Sequence, residues 1–125
     1  CLDQKTGLFD TLSHLSAEQV SKRTNDAPTN VAHCEHVRFY NNLLLSDLKG
    51  EAIGKVDWKQ TWLMQSVNND EWETLKNTLR DQYREMMVLL ESFETWDDDK
   101  VGIPMAVLAH TAYHLGAIRQ LIRFV

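Results

Sequence analysis

The chain is nearly free of the residues that interrupt helices, and this feature most limits the folds open to it. Only two prolines and five glycines occur in 125 residues. The strict alternation of apolar and polar residues that marks a half-buried strand is absent, whereas apolar residues recur at steps of three and four over long stretches. The sequence therefore predicts an all-α fold.

The first half of the chain carries recognisable helix boundaries. A loose apolar stripe covers residues 1–14, and a capping box headed by Ser16 predicts a short helix or turn that ends near Lys22. A polar loop follows, and a second main helix is predicted over residues 29–49. It should stop at Gly50, because glycine is the usual residue just after a helix end.

Two further helices are predicted in the second half. Asn69 or Asp70 should cap the third helix, whose apolar stripe runs to about residue 95. The fourth helix is predicted over Ile103–Phe124, with Pro104 in its first turn, where a missing backbone N–H costs little.

The connection between the second and third main helices is long and irregular. Residues 51–69 should form a crossover with a short helical turn, in which Trp58 and Trp62 pack over the bundle. Together with Trp72 they form either packing for this crossover, which is favoured, or an aromatic lid for an apolar substrate. Four main helices with one long crossover connection predict a four-helix bundle, with residues 1–125 forming one domain.

Composition excludes some functions. The net charge is −5, from 13 basic and 18 acidic residues, and no basic block offers a track for phosphates, which argues against nucleic-acid binding. No apolar run reaches about 18 residues, so no membrane span is expected, and no signal peptide is recognised. Cys1 and Cys34 are too few for a disulfide framework, which favours a reducing cytoplasm. The chain begins at Cys1 within a helical pattern, which predicts missing residues upstream.

Three histidines form the candidate site. His110 and His114 are four residues apart, so on a helix their rings stack on one face, about 6 Å apart. That face also carries apolar residues, so the rings need either a metal ion or hydrogen bonds to satisfy their nitrogens. His36, on the apolar stripe of the second main helix, is the candidate third ligand. Three imidazoles suit Zn²⁺ or Ni²⁺ and leave a coordination position open.

Neighbouring residues leave alternatives open. His33 is a fourth ligand, a group that hydrogen-bonds to a ligand, or a solvated residue, of which the last is favoured. Cys34 lies two residues from His36 and does not face it on a helix, which disfavours a role as ligand or nucleophile. No residue near the histidines is a convincing general base, and Glu35 is the best candidate. Tyr40 either reaches the mouth of the site or packs with its hydroxyl satisfied, and packing is favoured.

The motifs resemble a known family. The segments TNVAHCEHVRFYNNLLLSDLKGE, DWKQTWLMQSVNNDEWETLKNTLR and AHTAYHLGAIRQLIR are similar to those of the DinB-like superfamily of metal-dependent enzymes, over almost the whole chain. The resemblance implies a four-helix bundle in which one histidine of the second helix and an H-x-x-x-H pair of the last helix bind Zn²⁺ or Ni²⁺. On this chain those residues are His36, His110 and His114. The family often has glutamine where this chain has Ala117.

Three functions follow as hypotheses. Similar family members include transferases and an isomerase that use low-molecular-weight thiols, so the leading hypothesis is an enzyme whose metal activates a small thiol for transfer to an electrophile. A metal-dependent hydrolase is the first alternative. A metal-stabilised binding or dimerisation module without enzymatic activity is the second. The resemblance also implies a homodimer acting on a small molecule, and the catalytic residues are unknown.

Overall fold

The computed structural model describes residues 7–125, and all the regular structure in that range is helical. This confirms the predicted all-α fold; Cys1 lies outside the described residues. Within the described residues, five α-helices and two 3₁₀ turns follow one another: α1 Leu8–Ser13, α2 Ala17–Ser21, α3 Asn30–Leu48, a 3₁₀ turn Gln60–Trp62, α4 Asn69–Ser92, α5 Asp98–Leu121 and a 3₁₀ turn Ile122–Phe124.

Helix α3 is the centre of the fold. It packs against both α4 and α5 along its length, and α2 and the 3₁₀ turn Gln60–Trp62 also contact it. Helix α1 contacts both α4 and α5. Burial of apolar side chains from all five helices drives this arrangement, since each fully buried Leu, Ile or Val contributes roughly 1.5–3 kcal/mol. Members of the core include Leu12, Val20, Val31, Val37, Leu75, Leu79 and Ile118.

The predicted boundaries of α2 and α3 are confirmed. The Ser16 hydroxyl accepts the backbone N–H of Gln19, and the Gln19 side chain accepts the N–H of Ser16, which completes the capping box. Thr29 caps α3 by accepting the N–H of Ala32. Gly50 follows the helix end with a φ of 75°, a left-handed conformation that glycine adopts without strain.

The starts of α4 and α5 differ from the predictions. Asn68 caps α4, rather than Asn69 or Asp70, because its side chain and that of Glu71 accept each other's backbone N–H. The α5 helix begins five residues before Ile103, because Asp97 accepts the N–H of Lys100 and thereby caps it.

Pro104 is consequently inside α5 rather than in its first turn. A proline in that position removes one helical hydrogen bond. The predicted start is wrong because Pro104 is a weaker boundary signal here than the acidic residues Asp98 and Asp99, which suit the positive N-terminal end of a helix.

The crossover is also confirmed as irregular, with a short helical turn at Gln60–Trp62. Trp72, however, does not join Trp58 and Trp62. Its indole is 2% exposed in the main core, and its Nε1 donates to the carbonyl of Leu15 at 2.8 Å.

Helix α5 is long and largely apolar. The segment Asp98–Phe124 is long and apolar enough to cross a membrane by length and composition, although a single such helix is weak evidence for a span. The expected absence of a membrane span therefore stays a prediction. Four large hydrophobic side chains of α5 are more than 40% exposed: Val101, Met105, Leu108 and Tyr113.

Candidate metal site

Helices α3 and α5 bring together the three histidines predicted to form the site. One side-chain nitrogen each from His36, His110 and His114 lies within 4.8 Å of the other two. His114 is buried, and the other two are half-buried. Two neighbouring helices thus supply all three imidazoles to one point.

The pair on α5 is in direct contact. Because α5 is helical through both residues, the side chains of His110 and His114 lie one turn apart on the same face. Their Nε2 atoms are 3.1 Å apart. A contact of this length between two neutral imidazoles requires that one nitrogen carries the proton and the other accepts it.

A threonine of the crossover determines which nitrogen of His36 is free. The Nδ1 atom of His36 is 2.7 Å from the Thr61 hydroxyl oxygen, and that hydroxyl donates to the carbonyl of Trp58 at 2.7 Å. Since the hydroxyl proton is already used, Thr61 accepts the proton of His36 Nδ1. The Nε2 atom of His36 is then unprotonated and available to a metal ion.

Aromatic rings surround the imidazoles. The Trp62 indole stacks on His36, with ring centroids 4.3 Å apart and an interplanar angle of 16°. Tyr40 stacks on His110 at 3.8 Å and 25°. Trp58 lies 6.0 Å from His36 and is 44% exposed, so it forms the outer part of this wall. Trp58 and Trp62 therefore pack the crossover against His36, and an aromatic lid for an apolar substrate stays a prediction.

Four surface clefts with volumes of about 270 to 630 Å³ are lined by residues other than these histidines.

The environment keeps all these imidazoles neutral. Burial, and secondly the proximity of His36, lowers the pKa of His110 to about 4. Burial and the three neighbouring histidines lower the pKa of His114 to about 3. Burial likewise lowers the pKa values of His36 and His33. Metal ions bind the unprotonated form of imidazole, so the lowered pKa values extend metal binding to lower pH.

The structure places His33 beside the site, not in solvent. The residue is 8% exposed, and its Nδ1 lies 2.9 Å from Nδ1 of His114. The favoured prediction, a solvated His33, is wrong, because helix α3 turns this side chain towards α5 and the crossover. Its ring meets the Trp62 indole edge-on, with centroids 5.3 Å apart.

The donor set fits a divalent metal ion of the zinc type. Zinc–nitrogen bonds of 2.0–2.1 Å in tetrahedral geometry separate two bound nitrogens by roughly 3.3 Å. The Nε2 atoms of His110 and His114 are 3.1 Å apart, which is close to this value. The candidate nitrogens of all three histidines lie within 4.8 Å of one another, so only small side-chain movements would bring them to zinc-binding distances. Three neutral nitrogen donors and no carboxylate suit Zn²⁺ or Ni²⁺ better than Mg²⁺ or Ca²⁺.

Other candidate groups do not reach the site. Cys34 is buried in the main core, and burial raises the pKa of its thiol to about 12. Glu35 forms a two-pronged ion pair with Arg38, at 2.6 and 2.8 Å. His14 is exposed and lies 3.7 Å from the Asp10 carboxylate. The buried position of Cys34 agrees with the disfavoured role as ligand or nucleophile, and the ion pair with Arg38 engages Glu35.

Thr61 was not identified from the sequence. It stands in the irregular crossover, where no periodicity assigns a face to a side chain. The sequence contains only a weak signal for the position of Thr61. The residue follows Trp58 by three positions, so one helical turn brings its hydroxyl to the Trp58 carbonyl.

Comparisons with known proteins found no match: no family model, no curated protein and no solved structure is similar to this chain. The resemblance to the DinB-like superfamily therefore rests on the sequence motifs alone.

Proposed function

We propose that this protein is a metal-dependent enzyme of the DinB-like type, in which His36, His110 and His114 hold one divalent ion, Zn²⁺ or Ni²⁺. The observation that carries the proposal is the convergence of three neutral imidazole nitrogens within 4.8 Å. Three protein ligands leave at least one coordination position for a substrate, which is typical of catalytic rather than structural sites.

A four-helix bundle is part of the same proposal. Helices α3, α4 and α5 are its three long members, and α1 is the fourth, because it contacts both α4 and α5 as a fourth helix would. In this arrangement the ligands come from the two helices that pack most extensively on each other, α3 and α5, which keeps their relative positions rigid.

The proposed reaction is transfer of a low-molecular-weight thiol to a carbon electrophile. A bound divalent ion lowers the pKa of a coordinated thiol, so that it is present as thiolate near neutral pH. In the transfer a carbon–sulfur bond forms, the bond from that carbon to its leaving group breaks, and the thiol proton goes to solvent. A small-molecule thiol is favoured because the chain's own buried Cys34, with its raised pKa, is a poor nucleophile.

The surrounding residues have supporting roles in this proposal. Thr61 holds His36 in the form whose Nε2 is unprotonated. Tyr40 and Trp62 fix the ring planes of His110 and His36 by stacking. The same aromatic rings give an apolar surface that limits access of water to the thiolate.

The test combines metal binding with a transfer assay. Metal-free protein is titrated with Zn²⁺ and Ni²⁺, and the loaded protein is assayed with cysteine as the thiol and 1-chloro-2,4-dinitrobenzene as the electrophile. We expect tight binding of one ion and acceleration of thioether formation over the metal-free protein. Replacing His36, His110 or His114 by alanine should abolish both.

The matched control is His14→Ala, which removes an exposed histidine that lies outside the site. This variant should bind metal and react like the original protein. If the loaded protein accelerates no thiol reaction with any electrophile tested, the transferase proposal fails, although the metal site stands.

The same protein preparations distinguish the two alternative functions. A hydrolase would cleave esters or amides without added thiol, but it needs a general base, and Glu35 is paired with Arg38. A binding module without activity would retain metal and show no turnover in either assay. A small-molecule substrate and a cytoplasmic location remain predictions.

A further inference from the structure

The side chain of His33 has a polar contact that the three-histidine site does not account for. Its Nδ1 lies 2.9 Å from Nδ1 of His114, and the residue is 8% exposed. Burying an imidazole is costly unless its nitrogens are hydrogen-bonded. The contact therefore needs an explanation in terms of what His33 does for His114.

The two nitrogens of His114 face different partners. Its Nε2 is 3.1 Å from Nε2 of His110, on the side where the three histidines converge, and its Nδ1 faces His33. A metal ion at the point of convergence binds His114 through Nε2, so that nitrogen carries no proton. A neutral imidazole has one proton, which must then be on Nδ1.

We propose that His33 is the positioning residue of the site: its Nδ1 accepts the hydrogen bond from Nδ1–H of His114, which fixes the tautomer of His114 and directs Nε2 towards His36 and His110. This inference rests on the proposed metal site. A ligand histidine commonly donates its other N–H to such a partner, and loss of that partner costs 10–100-fold in metal affinity.

The geometry favours this role over that of a fourth ligand. His33 Nδ1 is hydrogen-bonded to the nitrogen of His114 that points away from the point of convergence. The nitrogens that lie within 4.8 Å of one another come from the other three histidines. Trp62 meets His33 edge-on and stacks on His36, so one indole holds the positioning residue and a ligand.

The experiment uses Co²⁺, whose visible absorption reports ligand number. His33→Phe keeps a ring but removes the acceptor, whereas His33→Gln offers an amide oxygen to the same N–H. We expect His33→Phe to lower Co²⁺ affinity 10–100-fold with unchanged band positions and intensities. His33→Gln should restore affinity to within about threefold of the original. His14→Phe is the matched control and should change neither affinity nor spectrum.

A second measurement requires no variant, and its first part requires no metal. Nitrogen NMR of the original protein should show a coupling across the hydrogen bond between the Nδ1 atoms of His33 and His114, without metal as well as with Zn²⁺. With Zn²⁺ bound, the proton should reside on His114. This arm still decides the question if His33→Phe fails to fold.

The outcomes separate this inference from the proposed function. If the original protein binds no Co²⁺, the metal site fails and the positioning role fails with it. If it binds Co²⁺ but His33→Phe does so equally well, or the NMR coupling is absent, only the positioning role is overturned. A change of band intensity in both His33 variants would instead make His33 a fourth ligand.

Discussion

At the scale of single residues, the site is a group of buried imidazoles that the fold keeps neutral. Burial is the largest cause of the lowered pKa values of His33, His36, His110 and His114. Contacts between the rings and with Thr61 offset part of the cost of that burial, whereas Nδ1 of His110 is buried without a hydrogen-bond partner. Neutral imidazole is the form that binds a metal ion, so the imidazoles are in the form that the proposed metal site requires.

The lowered pKa values predict acid sensitivity of the metal-free protein. The unfolded chain takes up protons on His110 and His114 below their ordinary pKa of 6.5, whereas the folded protein does so only near pH 4 and 3. The contribution of these two histidines to the free energy of unfolding is therefore fully present above about pH 6.5, and it is lost as the pH decreases towards 4. Each histidine contributes a slope of about 1.4 kcal/mol per pH unit within that interval.

Urea denaturation between pH 7 and pH 4.5 measures this slope. His110→Gln should reduce it by about 1 kcal/mol per pH unit, because one titrating group is lost. His14→Gln removes an exposed histidine and should leave the slope unchanged. Equal slopes in all three proteins would show that the histidines of the site do not carry the effect.

Sequence reasoning predicted the cluster of three histidines better than the residues beside it. His36, His110 and His114 follow from helical spacing and apolar stripes, because a regular helix fixes which residues share a face. Thr61 and His33 were missed or misassigned, because their roles depend on where the irregular crossover lies and how α3 is rotated against α5. Those features are set by tertiary packing and leave little local signal.

At the scale of elements, the helix ends show which local signals prevail. Capping side chains begin α2, α3, α4 and α5, and the predictions failed where two signals competed, as at Asp97 and Pro104. The Asp97 side chain accepts the N–H of Lys100 and begins α5 ahead of the proline. The apolar periodicity of α4, and the boundary residues Thr29 and Gly50 of α3, were sufficient to predict both helices to within a few residues.

The cap of α5 gives a prediction at this scale. Asp97→Ala removes the acceptor for the N–H of Lys100 and should lower the free energy of unfolding by about 1 kcal/mol. Asp81→Ala is the control: its carboxylate is exposed and lies 3.5 Å from Arg84, and such surface pairs are worth about 0–1 kcal/mol. Chemical denaturation compares the two variants. An Asp97 variant as stable as the original protein would contradict the assigned start of α5.

At the scale of the whole molecule, one face of α5 is apolar and exposed. Val101, Met105 and Leu108 lie on this face, with the acidic Asp98 at its start and the basic Arg123 just beyond its end. Two such faces packed antiparallel would bury the apolar residues of both copies. The homodimer implied by the resemblance stays a prediction, and this self-complementary face is where we expect it to form.

Sedimentation analysis of the purified chain tests the interface. Met105→Glu should weaken the dimer at least about tenfold, because it places two charges in the apolar centre of the face. Met87→Glu is the matched control, because Met87 is also an exposed methionine but lies on α4. A monomeric original protein, or dissociation caused by the control rather than by Met105→Glu, would contradict this interface.

The central claim concerns the three histidines, and the metal content of the purified protein tests it most directly. Elemental analysis after loading with Zn²⁺ or Ni²⁺ and removal of excess metal should give about one equivalent per chain for the original protein and for His14→Ala. It should give less than about a tenth of an equivalent for His110→Ala and His36→Ala. Negligible metal in the original protein, or equal metal in all four proteins, would contradict the claim and leave the imidazoles as a hydrogen-bonded core.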